Sequence, residues 1–221
     1  MRRVPITELL DSDAGTPAEV AASLLDLRWF NRWFGGVSTA QALIERVTVQ
    51  TQASRLSLLE VASGYGYVPQ SVRARLKQRG VTLDVTLLDR SRSHLDSYPR
   101  AVAADALSLP FRDATFDLVS STLFAHHLMP GELIRFVQEE LRVCRRAVLI
   151  NDLVRHPVHL AVAHAGRPLY RSRLTRHDAP ASVQQAYTPQ EMREMLAQTG
   201  TARIEMSRHY FFRMGVIVWK K

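Results

Sequence analysis

The chain has 221 residues, 46% of them hydrophobic, and a formal net charge of +8. That length suffices for one well-buried domain, and no apolar run reaches the roughly 18 residues that read as a membrane-crossing helix. Cys144 is the single cysteine, which excludes an intramolecular disulfide and fits a reducing compartment, so a cytoplasmic location is expected. The start, MRRVPITELLDSD, is charged but has no apolar stretch behind it, unlike a secretory signal. Of the 29 basic residues only Lys77, Lys220 and Lys221 are lysines, and the arginines are scattered rather than run together. Such a charge favours an anionic or membrane-associated partner only weakly, and no nucleic-acid-binding motif accompanies it.

Residues 1–55 read as a helical cap. Residues 17–34 carry Val20, Leu24, Leu27 and Phe34 near helical spacing and stop at Gly35-Gly36, and a second helix over 38–52 has Ser38 as its expected N-cap. Trp29, Phe30, Trp33 and Phe34 either roof a flat apolar ligand or pack on a sheet.

LSLLEVASGYGY follows at residues 56–67. Its apolar run reads as a buried parallel strand, closed by Glu60 where open α/β sheets bind ligands. Gly64 and Gly66 then let a ligand approach the backbone. The stretch lacks the third glycine of a dinucleotide loop and the Lys-Ser/Thr of a phosphate loop. A ribose-bearing ligand with little negative charge fits best.

A second strand over 83–88 ends at Asp89, which either accepts from two ribose hydroxyls or caps a helix over 91–98. A short strand over 100–104 precedes Asp105, placed for an exocyclic adenine amine or for a turn. A fourth strand, 116–121, leads into SSTLFAHHL. Then come a helix over 131–145 containing Cys144, a strand over 147–151, and Asn151-Asp152 at the ligand-binding edge. Residues 153–186, rich in Arg and His, read as an irregular insertion over that edge. Thr188 and Glu191 form a capping box for a helix over 189–198, and two strands, 203–207 and 210–219, close the chain.

The succession LLEVASGYG, VTLLDRS, AADALSLPF and FDLVSSTLFAHHL resembles the class I S-adenosylmethionine-dependent methyltransferases, nearest to the small-molecule branch that includes the ubiquinone and menaquinone biosynthesis methylases. The similarity spans about residues 56–219. It implies an α/β, Rossmann-like fold: a seven-stranded, mostly parallel sheet with flanking helices and an antiparallel last strand, over a core of 56–221. It also implies S-adenosyl-L-methionine as cofactor. Glu60, Ala62, Gly64 and Gly66 would line its methionine part, Asp89 and Arg90 its ribose, and Asp105 with Ala106 its adenine. The family usually has glycine where Ala62 stands, and alanine is tolerated there if its φ is negative.

The chemistry implied is methyl transfer to oxygen or carbon of a small aromatic or lipophilic acceptor. His126 or His127 is the candidate base or orienting group, or else the pair packs against the sheet. Asn151 and Asp152 would orient an acceptor hydroxyl, or Asp152 would cap the next helix. Arg171, Arg173, Arg176 and His177, with Tyr170 or Tyr187 above them, form either a lid for an anionic acceptor group or a solvated loop. Trp33, Arg173 and Tyr187 are thus acceptor-side candidates. His156 and His159 have a ligand-like spacing but no third partner, so no metal is expected. An RNA or protein methyltransferase and a non-catalytic cofactor-binding subunit are the alternatives. The expected partner is a small molecule rather than a specific nucleic acid, in a chain without a membrane span and with a possible homodimer.

Overall fold

The structure is a computed structural model that describes residues 1–220 except 12–13, 93–94, 96–97 and 202. Seven strands form one sheet: β1 (Arg55–Val61), β2 (Thr82–Asp89), β3 (Ala101–Ala103), β4 (Phe116–Thr122), β5 (Cys144–Leu153), β6 (Arg203–His209) and β7 (Arg213–Trp219). Their order is β3-β2-β1-β4-β5-β7-β6. β7 runs antiparallel to both of its neighbours and every other pairing is parallel, as expected of a Rossmann-like sheet. The order reverses at β1, so the ends of β1, β2 and β4 border a crevice that serves as the ligand side of such folds. Central strands buried on both faces explain their unbroken apolar runs. Leu59, Val61, Val119 and Val148 face one core with Phe136 and Met192, and Leu58, Leu118 and Leu149 face the other with Ile44 and Val72.

The helices are α1 (Pro17–Trp33), α2 (Gly36–Thr51), α3 (Tyr67–Gln78), α4 (Pro130–Val143), α5 (Pro157–Ala165), α6 (Arg173–Gln185) and α7 (Pro189–Leu196). The capping box at Thr188 and Glu191 is present. Three expectations are corrected. α2 starts at Gly36 behind Gly35, which takes the left-handed conformation (φ 83°), and Ser38 lies inside the helix with its hydroxyl on Gly35 O. Cys144 opens β5 rather than lying in α4, as a buried thiol whose pKa burial pushes up to about 12. Residues 153–186 are not irregular but hold α5 and α6. Pro180 lies inside α6, where it cannot donate to Arg176 O, and Arg167 Nε supplies that bond instead at 3.1 Å. Of the expected helix over 91–98, residues 93–94 and 96–97 lie outside the described residues.

The described part of residues 1–16 carries no helix. It forms a strap between α6 and the single 3₁₀ turn Ala125–His127 that follows β4. Val4 N donates to Gln184 O, and Leu9 N and Leu10 N donate to the two carboxylate oxygens of Asp178. Arg3 reaches Gln185 O on one side and His126 O and Leu128 O on the other. Its guanidinium lies 4.2 Å from the centre of the Tyr187 ring.

Candidate active site

A cavity of about 1840 Å³ opens at the C-terminal ends of β1, β2 and β4. Its floor is the turn after β1. Gly66 N donates to Ser63 O, and Gly66 (φ 68°) begins α3; a Cβ there would meet Leu87 at 2.5 Å, so the position demands glycine. At Gly64 (φ 51°) nothing lies within 4 Å of a Cβ position, which leaves its backbone bare to a ligand. Ala62 also lines the cavity, and its φ is +52°. The condition on which alanine was expected to be harmless is therefore not met, because an L-residue in the left-handed region costs about 1–2 kcal/mol. Leu123 and Phe211, on the same cavity wall, share that conformation at φ 58° and 57°. Gln52, Ala114 and Phe212 share it outside the cavity lining.

Glu60 is 3% exposed. Burial pushes its pKa up to about 7 despite bonds from the Ser120 and Thr122 hydroxyls. Asp89 accepts from Gly64 N at 2.8 Å and Ser91 N at 2.9 Å, so it braces the glycine turn from the neighbouring strand. Arg90, Asp105 and Ala106 line the same end of the cavity, and Asp105 also closes its own turn by accepting from Leu107 N.

The other end holds the two histidines. His126 is 2% exposed, with Nδ1 at 2.6 Å from Asp152 Oδ1 and its backbone N donating to Asp152 Oδ2. Burial opposes its charge, but Asp152 and Glu8 outweigh it and raise the pKa to about 10. His127 lies with Nδ1 2.8 Å from Asp11, and its ring stacks on Phe124 with centroids 6.1 Å apart. Glu8, from the strap, faces both rings, at 3.4 Å from His126 Nε2 and 3.9 Å from His127 Nε2. Ser182 and Gln185 on α6 donate to the same Glu8 oxygen at 2.6 and 2.7 Å. Sequence reasoning missed Glu8, since one acid in TELL carries no periodic or motif signal.

Aromatic side chains form the remaining wall. Trp29 and Phe30 of α1 and Phe34 just after it line the cavity, with Phe34 packed on Phe211 at 4.8 Å and Phe30 on Tyr170 at 5.4 Å. Burial holds the His159 pKa down at about 4, and the His159 ring stacks on Phe212 at 4.9 Å. His156 stacks on the same phenyl at 5.0 Å while its Nδ1 caps α5, so these two histidines serve packing and capping.

The five acceptor-side candidates all lie outside the cavity lining. Trp33 is 59% exposed and points away from the cavity its helix-mates line. Arg173 pairs with Glu19 at 3.0 Å, pinning α6 to α1 outside the cavity. Tyr187 donates to Leu128 O at 2.7 Å and braces the turn that carries the histidines from behind. Asn151 is buried between Gly36 O and Arg213, which ties α2 to β5 and β7. Asp152 is likewise buried and acts through His126 rather than facing the cavity. Of the arginine lid, Arg171 binds Asp26 on α1, whose Oδ2 also accepts from Arg171 N and Ser172 N.

The family model described as a methyltransferase domain matches residues 59–150. No curated protein sequence matches the chain. Among solved structures, the plantazolicin methyltransferase BpumL in complex with SAH aligns with a TM-score of 0.70 at 12% identity, over 97% of this chain and 95% of that one. Its complex with SAH and a monoazolic desmethylPZN analog gives 0.69 at 13% identity, over 96% and 93%. The magnesium protoporphyrin IX methyltransferase ChlM from Synechocystis PCC 6803 with bound SAM gives 0.52 at 12% identity, over 85% and 80%. Likeness at such identities is a likeness of fold.

Proposed function

We propose that this chain is a class I, S-adenosylmethionine-dependent methyltransferase that methylates an oxygen or carbon of a small, flat, lipophilic acceptor, a reading supported by the match of residues 59–150 to a methyltransferase-domain model and by the fold shared with BpumL. The observation that carries the reading is one continuous cavity that joins the glycine turn to His126 and His127 beneath an aromatic wall. The bound cofactor supplies an electrophilic methyl group. The bare backbone of Gly64 and the buried carboxyl of Glu60 suit its methionine end, Asp89 and Arg90 its ribose, and Asp105 and Ala106 its adenine. Trp29, Phe30, Phe34 and Phe124 sandwich the acceptor and exclude water. His127, at the cavity surface, orients the reacting oxygen, and His126, fixed by Asp152, supports it. Residues 1–55 and 153–186 act together as the cap that selects the acceptor.

The test offers methyl-labelled S-adenosylmethionine with a panel of phenols, quinols and enolisable diketones, and reads the products by mass spectrometry and NMR. Label is expected on one of these classes. His127→Ala is expected to lower kcat at least tenfold with cofactor affinity unchanged. Label appearing only in added RNA or protein would overturn the reading.

A further inference from the structure

We infer that Glu8, His126 and His127 form a binding site for one divalent transition-metal cation, set in the cavity wall so that the cation holds the acceptor's oxygen. The cation's presence stands on the geometry alone, whereas its role toward the acceptor rests on the methyl-transfer reading above.

Each ring is tied at Nδ1 by a carboxylate, His126 by Asp152 at 2.6 Å and His127 by Asp11 at 2.8 Å. This leaves both Nε2 atoms turned toward the Glu8 carboxylate, at 3.4 and 3.9 Å. A carboxylate behind each imidazole is how metal-bound histidines are oriented and made better donors. The two facing distances exceed the roughly 2.7–2.9 Å of a short charge-assisted hydrogen bond, and a bound cation would displace the proton that His126 holds between Nε2 and Glu8. Both distances approach the separation of about 3.0–3.4 Å between neighbouring ligands on an ion with bonds of about 2.1 Å. One ligand atom from each of the three residues lies within 4.8 Å of the others, and all three residues border the cavity, which leaves open coordination positions on the substrate side. Ser182 and Gln185 fix the Glu8 carboxylate from α6. Two imidazoles and one carboxylate suit Zn²⁺, Co²⁺ or Fe²⁺ better than Mg²⁺ or Ca²⁺. An acceptor that presents an oxygen anion, a phenolate or enolate, would then be drawn to this end of the cavity.

The test titrates Co²⁺ into the full chain after chelator treatment and dialysis, and reads the d–d absorption. One equivalent with nitrogen and oxygen ligation is expected, displaced by Zn²⁺. Glu8→Gln, which keeps the side chain's shape, and His127→Ala should each weaken Co²⁺ binding at least tenfold, and Asp11→Asn about tenfold. Absence of the bands in the wild-type chain, or undiminished binding in both ligand variants, would overturn the inference. Co²⁺ binding in a chain that methylates no acceptor would sustain the site and remove the methyl-transfer reading. Full methyl transfer by a chain that takes up no Co²⁺ would do the reverse.

Discussion

Asp89 Oδ2 accepts the Gly64 amide at 2.8 Å, so the acid ending β2 holds the shape of the turn that ends β1. One carboxylate therefore both builds the glycine turn and faces the cavity. Asp89→Ala removes the brace and the charge together and is expected to weaken S-adenosylmethionine binding by about 2 kcal/mol, the worth of a hydrogen bond to a charged group. Isothermal calorimetry checks this, and an unchanged Kd would detach Asp89 from the cofactor.

Ala62 sits at φ +52°. Glycine there relieves the left-handed strain and returns part of the gain as unfolded-chain entropy, for a net stabilisation of about 0.5–1 kcal/mol. Ala62→Gly should raise the urea midpoint with the m-value unchanged. A lower midpoint would show that the turn carries no such strain.

Glu60 gives a pH dependence. Its folded pKa, raised by burial to about 7 from 4.5, means that the folded state holds the proton more tightly than the unfolded state. Its contribution to stability is therefore full below pH 4.5 and is lost as pH rises to about 7. Glu60→Gln should gain on the wild type across that window, reaching about 3 kcal/mol at pH 8. In the proposed role of Glu60 at the cofactor's methionine end, the same carboxyl would ionise to pair with the ammonium. Binding near pH 6.5 should thus release protons, seen as a dependence of the calorimetric enthalpy on buffer ionisation, and Glu60→Gln should abolish the release.

Glu140 of α4 is fully buried, and neither carboxyl oxygen has a hydrogen-bond partner among the described residues. Burial holds its pKa well above the usual range. Glu140→Leu should stabilise the fold by about 1–3 kcal/mol, the cost of burying an unpaired polar group. Chemical denaturation reads the change.

Arg173 bonds Glu19 and Ala14 O outside the cavity. Arg173→Ala should leave kcat and the acceptor KM unchanged. Asp26→Ala, which strips Arg171 N and Ser172 N of their acceptor, should raise the acceptor KM by loosening the α1–α6 roof. Steady-state kinetics on both variants separates a roof brace from an anion receptor.

The end of the cavity proposed for the cofactor was legible in the sequence because strand-to-helix turns are local: Glu60, Gly64 and Asp89 each lie where an apolar run stops. The acceptor half was not. Glu8 meets its partner Gln185 across 177 positions, with no periodicity to signal the pairing. α6 was hidden by Pro180, whose missing bond is replaced by Arg167, and by arginines that read as a loop but serve as ties to α1. Trp33 shows the complementary error. Composition singled out an aromatic, but helical phase put its neighbours Trp29, Phe30 and Phe34 on the cavity and left Trp33 in solvent.

The strap has a kinetic consequence. It is held by hydrogen bonds and ion pairs to α6 and to the histidine turn, with no sheet pairing of its own, and such segments open at a fraction of the global unfolding free energy. Each opening removes Glu8 and Arg3 while β1, β2 and the glycine turn stay intact. The amides of Val4, Leu9 and Leu10 should therefore exchange with solvent deuterium long before those of β1, and a bound acceptor should slow them. An open strap would leave the glycine turn intact while the histidine end stands undone, so a donor bound at that turn as proposed is expected to load before the acceptor.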